Sequence, residues 1–181
     1  MALAPELSAS HTLAWVLVQD WACSSVASSQ IQSVSLQASG LTCSMCSRAI
    51  YKSLKKLPSV AKVQEDIAHS SYHIQFKDAQ KVSLADLKKA VLDAGFSVAW
   101  MEVKANFNNV EVANESVLQL DDFTFFFVDI QKQKLNGERK LLILDKDYLL
   151  EKDRKKYAGT LESKPAASDG DRTFHVTLPQ S

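Results

Sequence analysis

From Ile31 to Ser39 the chain alternates between apolar and polar positions, with Val34, Leu36 and Ala38 on one side, a pattern that predicts a half-buried strand. At Cys46 the period changes. Cys46, Ala49, Ile50, Ser53, Leu54 and Leu57 recur at steps of three and four, the stripe of an amphipathic helix. Lys52, Lys55 and Lys56 take its other face, and Pro58 stops it. Val60 to Ile67 predicts a second strand with Ala61, Val63, Glu65 and Ile67 on one side. Tyr72, Ile74 and Phe76 alternate with His73, Gln75 and Lys77 as a third, which leaves Ala68 to Ser71 as a hairpin turn. Ser83, with Asp86 three residues on, is the N-cap of a second helix. Its stripe is Leu84, Leu87, Ala90, Val91 and Ala94, and Gly95 is its C-cap. Phe96 to Val103 alternates as a fourth strand.

Strand, helix, strand, strand, helix, strand is the α+β order of a ferredoxin-like domain, two helices on one face of an antiparallel sheet. The expected organisation is a leader or signal-like segment over 1–30, this domain over 31–104, and a small β-rich domain over 105–181. Lys104 to Asn109 reads as the linker. Strands are expected at Val117–Leu120, Thr124–Ile130, Arg139–Leu144 and Thr173–Leu178. Asn136-Gly137 is a short-hairpin signal. Phe123, Phe125 and Phe127 share one face opposite Thr124, Phe126 and Val128, as in a strand buried on both sides. Tyr148–Tyr157 is expected as a short helix and Lys164–Asp171 as a surface loop.

Composition narrows the function classes. The 181 residues carry no formal net charge, and 46% are hydrophobic. That balance lacks the basic footprint of a nucleic-acid binder, and no apolar run approaches the roughly 20 residues of a membrane span. Leu13–Val18 is a short apolar run followed by Ser/Ala-rich sequence ending in Ala27-Ser28-Ser29, which resembles a secretory cleavage site. However, no Lys or Arg precedes the run and Glu6 does, against the positive opening of a signal peptide. Export to the periplasm and retention in the cytoplasm both stay open. Cys23 has no assigned role.

The candidate chemistry lies in Gly40-Leu41-Thr42-Cys43-Ser44-Met45-Cys46, where strand gives way to helix. Two thiols three residues apart can reach one soft cation, and thiolates favour Cu(I), Zn and similar ions. A helix N-terminus lowers thiol pKa, which suits a redox dithiol equally well, so the motif alone leaves both chemistries open. His69 and His73 fall on the hairpin, at the end expected to lie away from the Cys loop. They read as surface histidines, and His175 reads as structural.

Gly40 to Cys46, the Ala49-Ile50 and Leu54–Leu57 stripe, Ser59-Val60 to Val63, and Asp93-Ala94-Gly95-Phe96 together resemble the heavy-metal-associated domain. The likeness covers about 70 residues. It implies a non-enzymatic metal carrier with Cys43 and Cys46 as metal ligands, Leu41 supporting the loop and Phe96 near the ion. Leu41 stands where Met is usual, a volume-conserving swap. Phe96 lacks the hydroxyl of the Tyr often found there, so it could only shield the ion. Met45 is a possible third soft donor. Two sulfurs without further donors favour Cu(I), with Hg(II) or Zn(II) as other soft cargoes, and a metal transporter or acceptor protein as partner. The Lys52, Lys55 and Lys56 face would dock an acidic patch on that partner. Phe174-His175-Val176-Thr177 resembles the ending of exported bacterial proteins that pair such a domain with a β-rich tail. The competing readings are a thiol-disulfide oxidoreductase and an interaction protein that keeps the fold.

Overall fold

The computed structural model describes residues 30–41, 44–77, 82–161 and 172–179. The leader, Cys23, Cys43 and the loop Lys164–Asp171 lie outside them. Eight strands form one sheet in the order β2-β3-β1-β4-β7-β8-β6-β5. The first half follows the expected order: β1 Gln30–Ser39, α1 Ser44–Lys55, β2 Val60–Asp66, β3 Ser71–Phe76, α2 Leu84–Asp93 and β4 Ser97–Val112. β1 is antiparallel to both β3 and β4. Val34 and Leu36 of β1, Tyr72 and Ile74 of β3, and Met101 and Val103 of β4 are buried in one core with Ile50 and Leu54 of α1 and Leu84, Leu87 and Val91 of α2.

The caps of α2 form as the sequence predicts. The Asp86 N–H donates to Ser83 Oγ at 3.1 Å. At the other end the Gly95 N–H donates to the Leu92 carbonyl and the Phe96 N–H to that of Val91, at 2.8 and 3.1 Å. This paired closure needs its C′ residue in the left-handed region, and Gly95 has φ +89. The stripe of α1 is narrower than its periodicity suggested: Ser47, Ile50 and Leu54 are buried, but Ala49 is exposed. β2 also departs from simple alternation. A register shift between Val60 and Lys62 puts Val60 and Val63 inside and leaves Ala61 and Ile67 exposed, because a bulge swaps the side on which later residues emerge.

The expected linker at Lys104–Asn109 is strand. β4 runs on to Val112 and pairs with β7, Gln133–Ile143, from Glu102↔Leu142 to Val112↔Gln133. The boundary drawn at 104 therefore falls inside one strand. What won over the linker reading is the unbroken inward series Val103, Ala105, Phe107, all buried. Asn136-Gly137 makes no hairpin either. It lies within β7, opposite a bulge between Phe107 and Val110. Gly137 at φ +70 and Asn109 at φ +52 absorb the kink, so the backbone freedom that signals a turn is used for a bulge.

The remaining strands extend the same sheet: β5 Val117–Leu120, β6 Phe123–Phe127 and β8 Thr173–Thr177. β8 enters between β7 and β6, antiparallel to the first and parallel to the second. Phe123, Phe125 and Phe127 are buried in the core shared with the first half. Phe174 joins them, its ring edge-on to Tyr148 at 5.3 Å between centroids. From α2, Lys88 Nζ sits 4.7 Å from the centre of the Tyr148 ring, so the second half packs directly on the helical layer. On the opposite face α3 Glu151–Arg154, a 3-10 turn Lys155–Tyr157 and α4 Ala158–Leu161 occupy the stretch expected as one short helix and a few residues beyond it. Tyr157 and Leu161 there cover Val128, Leu144 and Leu149, with Trp100 alongside.

Candidate metal centre

Chain direction decides what gathers around Cys46. β1 ends at Ser39, and Gly40 at φ +81 turns the chain toward α1. Because β3 is antiparallel to β1, its first residue lies against the last residues of β1, with Gln37 opposite Ser71. The Ala38 N–H donates to the Ser70 carbonyl at 3.1 Å, and Gln37 Nε2 to the His69 carbonyl at 2.7 Å. β4 starts at the same place, Ser39 opposite Ser97, and Ser39 Oγ donates to the Ser97 carbonyl at 3.3 Å. The β1–α1, β2–β3 and α2–β4 connections therefore share one end.

That arrangement fits the expectation for Gly95-Phe96 and corrects it for the histidines. His69 lies in the β2–β3 turn, at the Cys-loop end, because an antiparallel neighbour of β1 must begin where β1 finishes. His69 Nδ1 sits 2.7 Å from Asp66 Oδ2, and this hydrogen bond lowers the Asp66 carboxyl below its ordinary value. Both side chains are well exposed. His73 lies near the start of β3 and faces the other side of the sheet from the helices, its Nδ1 3.1 Å from Ser35 Oγ.

Cys46 is half-buried in the first turn of α1, at the positive end of the helix dipole. No acidic side chain lies in that turn. Leu41 and Phe96 are half-buried and pack on the core. Met45 is 81% exposed and packs on nothing in the core. Among the described residues no group of three or more His, Cys, Asp or Glu gathers into a cation site.

One residue of the site went unnoticed in the sequence. Tyr72, read only as an inward strand residue, donates its hydroxyl to the Ser47 carbonyl at 3.2 Å, one residue past Cys46. Burial raises its phenol above the ordinary value, against the lowering effect of hydrogen bonding with Ser47, and the charges of Glu65 and Cys46 add to the rise. The available signal was its position: a Tyr on a core face needs an acceptor for its hydroxyl. His175 is buried, its Nδ1 2.9 Å from Asp145 Oδ1 while Asp145 Oδ2 accepts from its backbone N–H at 2.7 Å.

An antiparallel βαββαβ sheet with two helices on one face, and a thiol in the opening turn of the first helix, defines a fold of the ferredoxin-like class. The chain belongs to the heavy-metal-associated domain family, whose signature spans residues 35–97. It is 34% identical over 91 residues to the mercuric transport protein periplasmic component of Pseudomonas aeruginosa, covering 50% of this chain and 91% of that one. It is likewise 34% identical over 64 residues to the copper chaperone CopZ of Bacillus subtilis, covering 35% of this chain and 91% of the relative. Oxidized MerP of Ralstonia metallidurans aligns at 35% identity and a TM-score of 0.35, over 38% of this chain and 93% of that one.

Proposed function

We propose that this protein carries a soft heavy-metal ion, held by the thiolates of Cys43 and Cys46 and passed on by ligand exchange. The observation that carries the reading is Cys46 in the first turn of α1, half exposed at the end where three connections meet. The relatives named for mercury transport and copper delivery support it. Cu(I) is the cargo that a two-thiolate donor set favours, since two sulfurs leave room for an incoming ligand from an acceptor. Zn(II) in a closed structural site takes four ligands. Hg(II) is the second reading, favoured by the mercuric transport relative, whose match covers more of the chain than that of CopZ. The acceptor is a metal transporter or another thiol protein, and the periplasm is the compartment the mercuric relative suggests.

The chain's own contributions are the opening turn of α1 that bears Cys46, the half-buried apolar side chains of Leu41 and Phe96, and the exposed Met45 next to Cys46 in sequence. No covalent turnover is required. Anaerobic titration read by native mass spectrometry tests the reading. One ion per chain is expected, lost in Cys43→Ser and in Cys46→Ser, and an unchanged stoichiometry in either variant overturns it.

A further inference from the structure

Tyr72 spans from the sheet to the helix that bears Cys46. Its side chain fills an inward position of β3 at 1% exposure. The packing there does not call for a hydroxyl, because Leu36, Val63 and Ile74 in the same core are aliphatic. A buried phenol without an acceptor would cost about 1–3 kcal/mol. The acceptor it finds is the Ser47 carbonyl, in the opening turn of α1, where a helix is held by the fewest internal bonds. Ser47 is itself buried, at 4% exposure. The start of β3 is meanwhile bound to the end of β1 through Gln37↔Ser71 and the Ala38–Ser70 bond. The strand that leads into the thiol loop and the helix turn that leaves it are thus both tied to the first two residues of β3 and the turn before them.

We propose that Tyr72 is a positioning residue for the thiol site: its hydroxyl, by holding the Ser47 carbonyl, fixes the first turn of α1 and the direction of Cys46 Sγ. A ligand already held in place loses less conformational freedom on capture, so the ion is held more tightly. The inference rests on the reading of Cys46 as a ligand and deepens it by naming what orients that ligand.

The test compares Tyr72→Phe, which removes one oxygen, with Tyr51→Phe on the same helix as control. In a full-length Cys23→Ser/Cys43→Ser background, alkylation of Cys46 by iodoacetamide should change about fivefold in Tyr72→Phe and stay at the parent rate in Tyr51→Phe. With all cysteines present, loss of Cu(I) to a competing chelator should quicken about tenfold. Amide hydrogen exchange should quicken in residues 46–50 and keep its parent rate in β4. Parent-like alkylation in Tyr72→Phe, or faster exchange spread evenly over the sheet, overturns the proposal. If the unsubstituted chain takes up no Cu(I) or Hg(II) while alkylation still responds, the ligand reading of Cys46 fails and the positioning of its thiol by Tyr72 holds.

Discussion

The backbone N–H of Ile31 donates to Asp121 Oδ2 at 3.1 Å, between residues 90 apart in sequence. Ile31 lies at the start of β1, and Asp121 lies in the turn joining β5 to β6, the two strands at the far end of the sheet. The sheet therefore curls until its last hairpin meets the ferredoxin-like half. Asp121 holds φ +50 to make that turn. Asp121→Ala removes the acceptor and places a residue poorly suited to positive φ. The urea midpoint should fall by the equivalent of about 1–3 kcal/mol, and Asp121→Asn, which tolerates that backbone and keeps an acceptor, should lose less.

Phe174 stands at the centre of the second half, with ring centroids 5.8 Å from Phe123, 6.2 Å from Phe125 and 5.3 Å from Tyr148. Phe174→Ala should cost about 3–5 kcal/mol. Because one core spans both halves, the loss should appear as one shifted transition. Far-UV circular dichroism and tryptophan fluorescence should report the same midpoint, and two separate transitions would mean the halves unfold independently.

Gly95 has nothing within 4 Å of where a Cβ would sit, so its substitution meets backbone strain alone. Gly95→Ala should destabilise by about 1–2 kcal/mol in a urea titration. Gly95→Asn, better suited to a left-handed position, should recover part of it.

His73 gives stability a pH dependence. Burial, then the charges of Lys104 and Lys140, hold its imidazole below the ordinary value of 6.5. Those two lysines are themselves paired with Glu138 and Glu102. The unfolded chain thus binds this proton more readily than the folded one. Stability should decline as pH drops through 6.5 and level off below the folded value. Thermal midpoints from pH 7.5 to 5 should show that slope in the parent, and His73→Gln should flatten it.

The ferredoxin-like half could be read from the sequence because its signals are local. Ser83, Asp86 and Gly95 cap α2 through bonds among near neighbours, and the alternation in β1 and β3 is set by a core on one side only. What escaped reading was decided by partners distant in sequence. Lys104, Asn106 and Asn108 look like linker residues until β7 pairs with β4 and leaves their side chains on the face away from the core. Asn136-Gly137 has the same backbone preference in a turn and in a bulge, and only the facing strand distinguishes them. The end of the sheet at which His69 lies depends on which way β3 runs against β1, a matter of topology and not of propensity. Tyr72 carries no motif at all, and its role depends on a carbonyl 25 residues earlier.

In a four-stranded sheet of order β2-β3-β1-β4 the fourth strand would be a border, its outer N–H and C=O groups open to any extended peptide. Here β7 sits along that side of β4 from Glu102 to Val112. The added strands thus act as a selvage, moving the raw border away from the longest strand to β5, only four residues long. A short border gives a stray chain little purchase, so a sheet built this way resists sideways stacking into fibres on that side.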